Sequence, residues 1–122
     1  MIHLIVNLKP IPKERPRFGK GHVYTPSKTA KYESHIKMLA KAMIDEPYSG
    51  PVEVRLVFNF IKAKSSKKEM HTQRPDIDNL QKCVLDSLNG VAYLDDCQVI
   101  RLYSEKNFSA VENIEITVIE IK

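Results

Sequence analysis

Apolar and polar residues alternate at the start of the chain. Ile2, Leu4, Val6 and Leu8 share one face, which predicts a first strand over residues 2–9. Further on the period lengthens. Tyr32, Ile36, Leu39, Ala40 and Met43 recur at helical spacing, predicting an amphipathic helix from Thr25-Pro26 to about Asp45. After the break at Ser49-Gly50-Pro51 the period of two returns, with Val52, Val54, Leu56, Phe58 and Phe60 on one face of a second strand. Ile77, Leu80, Val84 and Leu88 supply the core face of a second helix, from about Asp76 to Leu88, and Asn89-Gly90 stops it. Val99 to Asn107 and Asn113 to Ile121 predict two more strands, expected as antiparallel neighbours. The order β-α-β-α-β-β predicts an α+β fold, a mixed four-stranded sheet with two helices packed on one face. It is expected to form a single domain over residues 1–122.

Charge alters this picture because it is concentrated between the elements. The chain has 122 residues and a formal charge of 19 − 15 = +4. One segment, KPIPKERPRFGKGHVYTPSK, holds Lys9, Lys13, Arg15, Arg17 and Lys20, and its prolines at 10, 12 and 16 bar a helix. A second, over residues 62–75, holds Lys62, Lys64, Lys67, Lys68 and Arg74 and reads as a mobile surface loop. Two such runs are dense enough to follow a phosphate backbone, although a charge run is most often a solvated face. Phe18 and Tyr24 are candidates to stack on exposed bases, or equally to pack on the domain. No stretch reaches the roughly 20 apolar residues of a membrane span, and the first ten residues lack signal-peptide features. Cys83 and Cys97 fit no disulfide or CxxC pattern, and the scattered His3, His22, His35 and His71 argue against zinc. A reduced, cytoplasmic location without membrane contact is expected.

Candidate chemistry sits between Arg74 and Gln98. Asp76 and Asp78 flank Ile77 at the predicted helix entrance, Lys82 follows one turn later, and Asp95-Asp96 come after the helix. Clustered carboxylates in a basic chain point to a hard, oxygen-ligated cation, with Mg²⁺ the simplest. Acids also belong at helix starts for capping and dipole reasons, and Asp95-Asp96 could be a turn. Lys82 could serve only an i,i+4 pair with Asp78, worth about 0.3–0.5 kcal/mol. Asp86 reads as a surface or supporting residue, and Asn79 as a cap or a ligand-orienting group. The DIDN opening is no EF-hand, since Gln81 stands where that loop needs glycine. Convergence of Asp95-Asp96 with Asp76 and Asp78 requires residues 90–96 to run back, nearly extended, along a helix of some 20 Å.

The run Asp76-Ile77-Asp78-Asn79-Leu80-Gln81-Lys82, then Asp86-Ser87-Leu88, then Leu94-Asp95-Asp96-Cys97-Gln98, resembles the RusA-type Holliday junction resolvases. PIPKERPRF, YTP and the following helix are similar to one branch of that family, so the resemblance covers most of the chain. It implies a homodimeric endodeoxyribonuclease that resolves four-way DNA junctions by paired symmetric nicks in recombination and repair. It also implies Mg²⁺ dependence, with Mn²⁺ as a substitute. Carried onto this sequence, Asp76, Asp78 and Asp96 become metal-binding catalytic carboxylates and Lys82 the catalytic lysine. Lys13, Arg15, Arg17, Lys20, Lys67, Lys68 and Arg74 are the expected DNA-binding residues. The alternative is a non-catalytic, structure-selective nucleic-acid binder whose acids only cap the helix.

Overall fold

The computed structural model describes residues 1–14, 17–19, 21–24 and 27–122, with backbone alone at 17, 18 and 22–24. Its elements are β1 (Ile2–Val6), β2 (Arg17–Gly19), β3 (His22–Tyr24), α1 (Ser27–Lys41), β4 (Val52–Ile61), α2 (Ile77–Ser87), β5 (Val99–Ser109) and β6 (Asn113–Glu120). A short 3₁₀ turn, Asp96–Gln98, precedes β5. The expected α+β arrangement is present, with four strands in the order β1-β6-β4-β5.

One expectation about pairing is corrected. β5 and β6 are not neighbours, because β4 lies between them, parallel to β5 and antiparallel to β6. β4 takes the centre because Val52, Val54, Leu56, Phe58 and Phe60 are all buried along its length. Its parallel partner needs a crossover connection, which α2 supplies. β5 and β6 then stand two strand spacings apart, about 10 Å, a gap that residues 110–112 can bridge.

Leu4 and Val6 of β1 and Ile114, Ile116 and Val118 of β6 complete the sheet's inner face, which packs with Ile36, Ala40, Leu80, Val84 and Leu88 of the helical layer. The stripe on α1 is narrower than the spacing predicts: Ile36 and Ala40 are buried, but Leu39 and Met43 are exposed. α1 also ends at Lys41, short of Asp45. On the opposite sheet face, polar groups satisfy one another. Glu53 is paired by Arg55 at 2.7 Å, and Asn59 donates to Asn113 at 2.8 Å. The first basic segment, expected to be irregular, contains the antiparallel pair β2–β3, whose turn includes Gly21 at a φ of 79°. That left-handed geometry is the kind glycine adopts without a Cβ clash.

The segment after α2 fixes where the second acidic pair lies. Residues 90–96 do not retrace the helix. Val91, Ala92 and Tyr93 are buried, and the amides of Val91 and Ala92 both donate to the Leu88 carbonyl at 3.0 Å. Tyr93 Oη donates to the Leu85 carbonyl at 2.7 Å. Apolar burial therefore coils this segment against the C-terminal half of α2.

Candidate metal and nucleic-acid site

Asp76 occupies the N-cap position of α2 but its side chain makes no capping bond. Among the described residues Asp78 Oδ1 accepts only from the adjacent Asn79 amide, at 3.0 Å. Both carboxylates are exposed, and among the described residues neither forms an ion pair. Capping by hydrogen bond thus does not account for Asp76. The helix dipole favours these charges by about 0.3–1 kcal/mol each.

The approach to this pair is held by Lys106. Its ammonium donates to the carbonyls of Gln73 at 2.7 Å and Pro75 at 3.0 Å, immediately before Asp76. Upstream, the buried His71 ring lies 4.3 Å from Phe60 and 5.1 Å from Phe108, centroid to centroid. Burial lowers the His71 pKa, and the Lys106 and Lys68 charges push it down further. The second basic loop, expected to be mobile, is thus anchored at its C-terminal end.

Lys82 does not reach back to Asp78. It pairs forward with Asp86, Nζ to Oδ2 at 3.5 Å, and is largely exposed. Asp86 also meets Lys13 at 3.3 Å, and Lys13 meets Glu33 of α1 at 2.8 Å. Burial by itself would lower the Lys13 pKa, but Glu33 and Asp86 outweigh it and hold the ammonium above its ordinary value. Lys13 is only 11% exposed, so it ties the first basic loop to both helices instead of facing solvent.

Asp95 caps the 3₁₀ turn by accepting from the Cys97 amide at 3.3 Å. Gln98 completes the box. Its Oε1 accepts from the Leu94 and Asp95 amides, while Nε2 donates to the carbonyls of Tyr48 and Gly50. The hydrogen bonding from Cys97 holds the Asp95 carboxyl below its usual range. Asp96 is left to face α2, close to Asp86. Partial burial and the charges of Asp95 and Asp86 raise its pKa, while Lys82 opposes the shift.

Asp78, Lys82 and Asp86 therefore form a stripe along α2. Acids stand at its two ends, some 12 Å apart at 1.5 Å per residue, and Asp96 joins the far end. Among the described residues no three metal-ligating side chains gather around one cation-sized space. The donors do suit a hard cation: all are carboxylate oxygens, two have no counter-charge among the described residues, and Asp96 sits acid against acid.

Lys9, Lys62, Lys64, Lys67, Lys68 and Arg74 are exposed, and Lys9 and Arg74 stand beside Asp76. Arg15 and Lys20 lie outside the described residues, as do the side chains of Arg17, Phe18 and Tyr24. Sequence reasoning did not find Lys106 or the Glu33–Lys13 pair, and it placed Gln98 in the family-like motif without a role. The signal for Lys106 was present: it falls in phase with Leu102 and Phe108, an inward strand position where a lysine needs a partner.

These are the features of an α+β domain with two exposed carboxylates at a helix entrance and exposed basic residues in the segments that precede it. Residues 7–119 match the family model described as Endodeoxyribonuclease RusA. The chain belongs to that family, which is a family of nucleases. It is also 30% identical to a Bacillus subtilis (strain 168) protein named Uncharacterized protein YqaN, over 93% of this chain and 92% of that one. No helix among the described residues is long and apolar enough to cross a membrane.

Proposed function

We propose that this protein is a divalent-metal-dependent endodeoxyribonuclease that resolves four-way DNA junctions by paired nicks as a homodimer. The observation that carries this, within a RusA-family chain, is the pair of exposed carboxylates, Asp76 and Asp78, without a counter-charge among the described residues. Asp76 and Asp78 would hold Mg²⁺, or Mn²⁺ in its place, with Asp96 as the third carboxylate. Mg²⁺ often takes one or two carboxylates and completes its shell with water and substrate phosphate, so the pair at the helix entrance suffices for first capture. Such an ion supplies Lewis acidity and a bound water of lowered pKa.

The chain's own residues do the rest. Lys106 presets the backbone leading to Asp76, which limits the entropy lost when ligand and phosphate are oriented. Lys82, largely exposed and one turn beyond Asp78, would leave Asp86 to offset negative charge on the phosphate or the leaving oxygen. Lys67, Lys68 and Arg74, with Arg15, Arg17 and Lys20, would bind the phosphate backbone and fix its register without reading sequence. A C2 dimer presents two equivalent sites to a substrate of approximate two-fold symmetry, so two nicks are paired. Work on branched DNA implies a role in recombination or repair.

A synthetic four-way junction incubated with Mg²⁺ and resolved on a denaturing gel tests this. Wild type is expected to give symmetric nicks, and Asp78→Asn to bind the junction without cutting. Tight, salt-sensitive binding with no metal-dependent nick would replace this reading with a non-catalytic binder.

A further inference from the structure

Beside Asp76 lies a cleft of about 550 Å³ between the two basic segments. Pro10, Ile11 and Pro12 form one side, Arg74 and Pro75 the other, and Lys9, Asp76 and Asn79 complete the lining. Its size falls in the ordinary range of small-ligand sites, roughly 300–1,000 Å³. Both sides are fixed in advance. Tyr32 Oη donates to the Lys9 carbonyl at 2.7 Å, and the Lys13 amide donates to the Asn79 carbonyl at 2.9 Å. Across the cleft Lys106 holds Gln73 and Pro75.

The lining specifies a ligand chemistry. Four apolar side chains give a surface for a flat, weakly polar face. Lys9 and Arg74 are exposed cations. The Asn79 side chain is exposed and makes no hydrogen bond among the described residues, leaving one acceptor and two donors free. A ring with a hydrogen-bonding edge and an anion attached is a nucleotide. In a paired duplex that edge is engaged and both faces are stacked, so only a base already loosened from its stack can enter. Extrusion costs least where pairing is already broken, as at a branch point.

We propose that this cleft takes one unstacked base of the DNA strand, next to the phosphate that is cut. Ile11 and the prolines pack on its ring, Asn79 reads its edge, and Lys9 and Arg74 neutralise the flanking phosphates. This inference rests on the nuclease reading above and adds a specificity determinant to it, Asn79.

The test uses four-way junctions carrying 2-aminopurine at the nucleotide flanking the crossover, with Ca²⁺ in place of Mg²⁺ so that binding is read without cleavage. Wild type is expected to raise the fluorescence several-fold, and Ile11→Glu, checked for an unchanged melting curve, to remove the rise. Affinities for four junctions differing only at that base should spread about tenfold in wild type and collapse together in Asn79→Ala. Junction binding with no fluorescence rise overturns the inference. So does a rise that persists in Ile11→Glu, or a spread that Asn79→Ala leaves intact. Wild type that fails to bind any junction removes the nuclease reading itself.

Discussion

Lys13 shows how little a residue's charge alone says about its role. Its place in a proline-rich basic run suggests a phosphate ligand, yet it is enclosed by Glu33 and Asp86. Removing one member of a partly buried charge network leaves the others uncompensated, typically a larger loss than that of an exposed pair. Lys13→Met is therefore expected to destabilise the fold by about 1–3 kcal/mol in urea denaturation. Lys64→Met, at an exposed position, should stay within about 0.5 kcal/mol. Equal effects would refute the tether. Gln98 is the opposite case, a residue with no charge and four hydrogen bonds. Gln98→Ala should speed amide hydrogen exchange at Leu94 and Asp95 more than in β4, since it frees the loop that carries Asp96. Neither role was legible in the sequence, because each depends on which distant segment arrives alongside.

Among the elements, those with strong periodicity were legible and their partners were not. The alternation over Val52–Phe60 and the stripe Leu80, Val84, Leu88 gave the central strand and the second helix close to their observed limits. The exchange of neighbours at β5 and β6 was hidden, because a short link ordinarily signals a hairpin and the parallel pairing through α2 displaces it. The position of Asp96 was hidden for a similar reason. Burial of Val91, Ala92 and Tyr93 outweighs any tendency of that stretch to extend. Docking of the 62–75 loop carries a pH prediction. His71 is buried beside the Phe60 and Phe108 rings, which costs the charged ring its hydration, and the Lys106 and Lys68 charges oppose a further positive charge. Its folded pKa lies below the ordinary 6.5, so the unfolded chain takes up the proton first. Stability is then complete above about pH 6.5 and is lost as the pH falls toward the lowered folded value. The melting temperature should drop between pH 7 and pH 5, and His71→Phe should flatten that slope. An unchanged slope would show that His71 does not titrate in this range.

For the whole molecule, net charge and loop placement set how it meets DNA. Junction affinity should fall linearly with salt on logarithmic axes. The double variant Lys67→Gln/Lys68→Gln should lower the slope by about 2, one for each phosphate that is no longer neutralised. An unaltered slope would place the DNA elsewhere. The central claim concerns the metal. Two carboxylates stand ready at the entrance of α2, and the third rests against Asp86 near the other end of the helix. Beside Asp86 the Asp96 carboxylate meets like charge, which a divalent ion at the helix entrance would relieve, so binding is expected to draw Asp96 toward Asp76 and Asp78. Titrating the ¹⁵N-labelled protein and junction with traces of Mn²⁺, and following paramagnetic broadening of the amide signals, reads this directly. The account predicts that the amides of residues 76–79 and 95–97 disappear together at the same Mn²⁺ concentration. Broadening confined to one of those segments, or to neither, would contradict it.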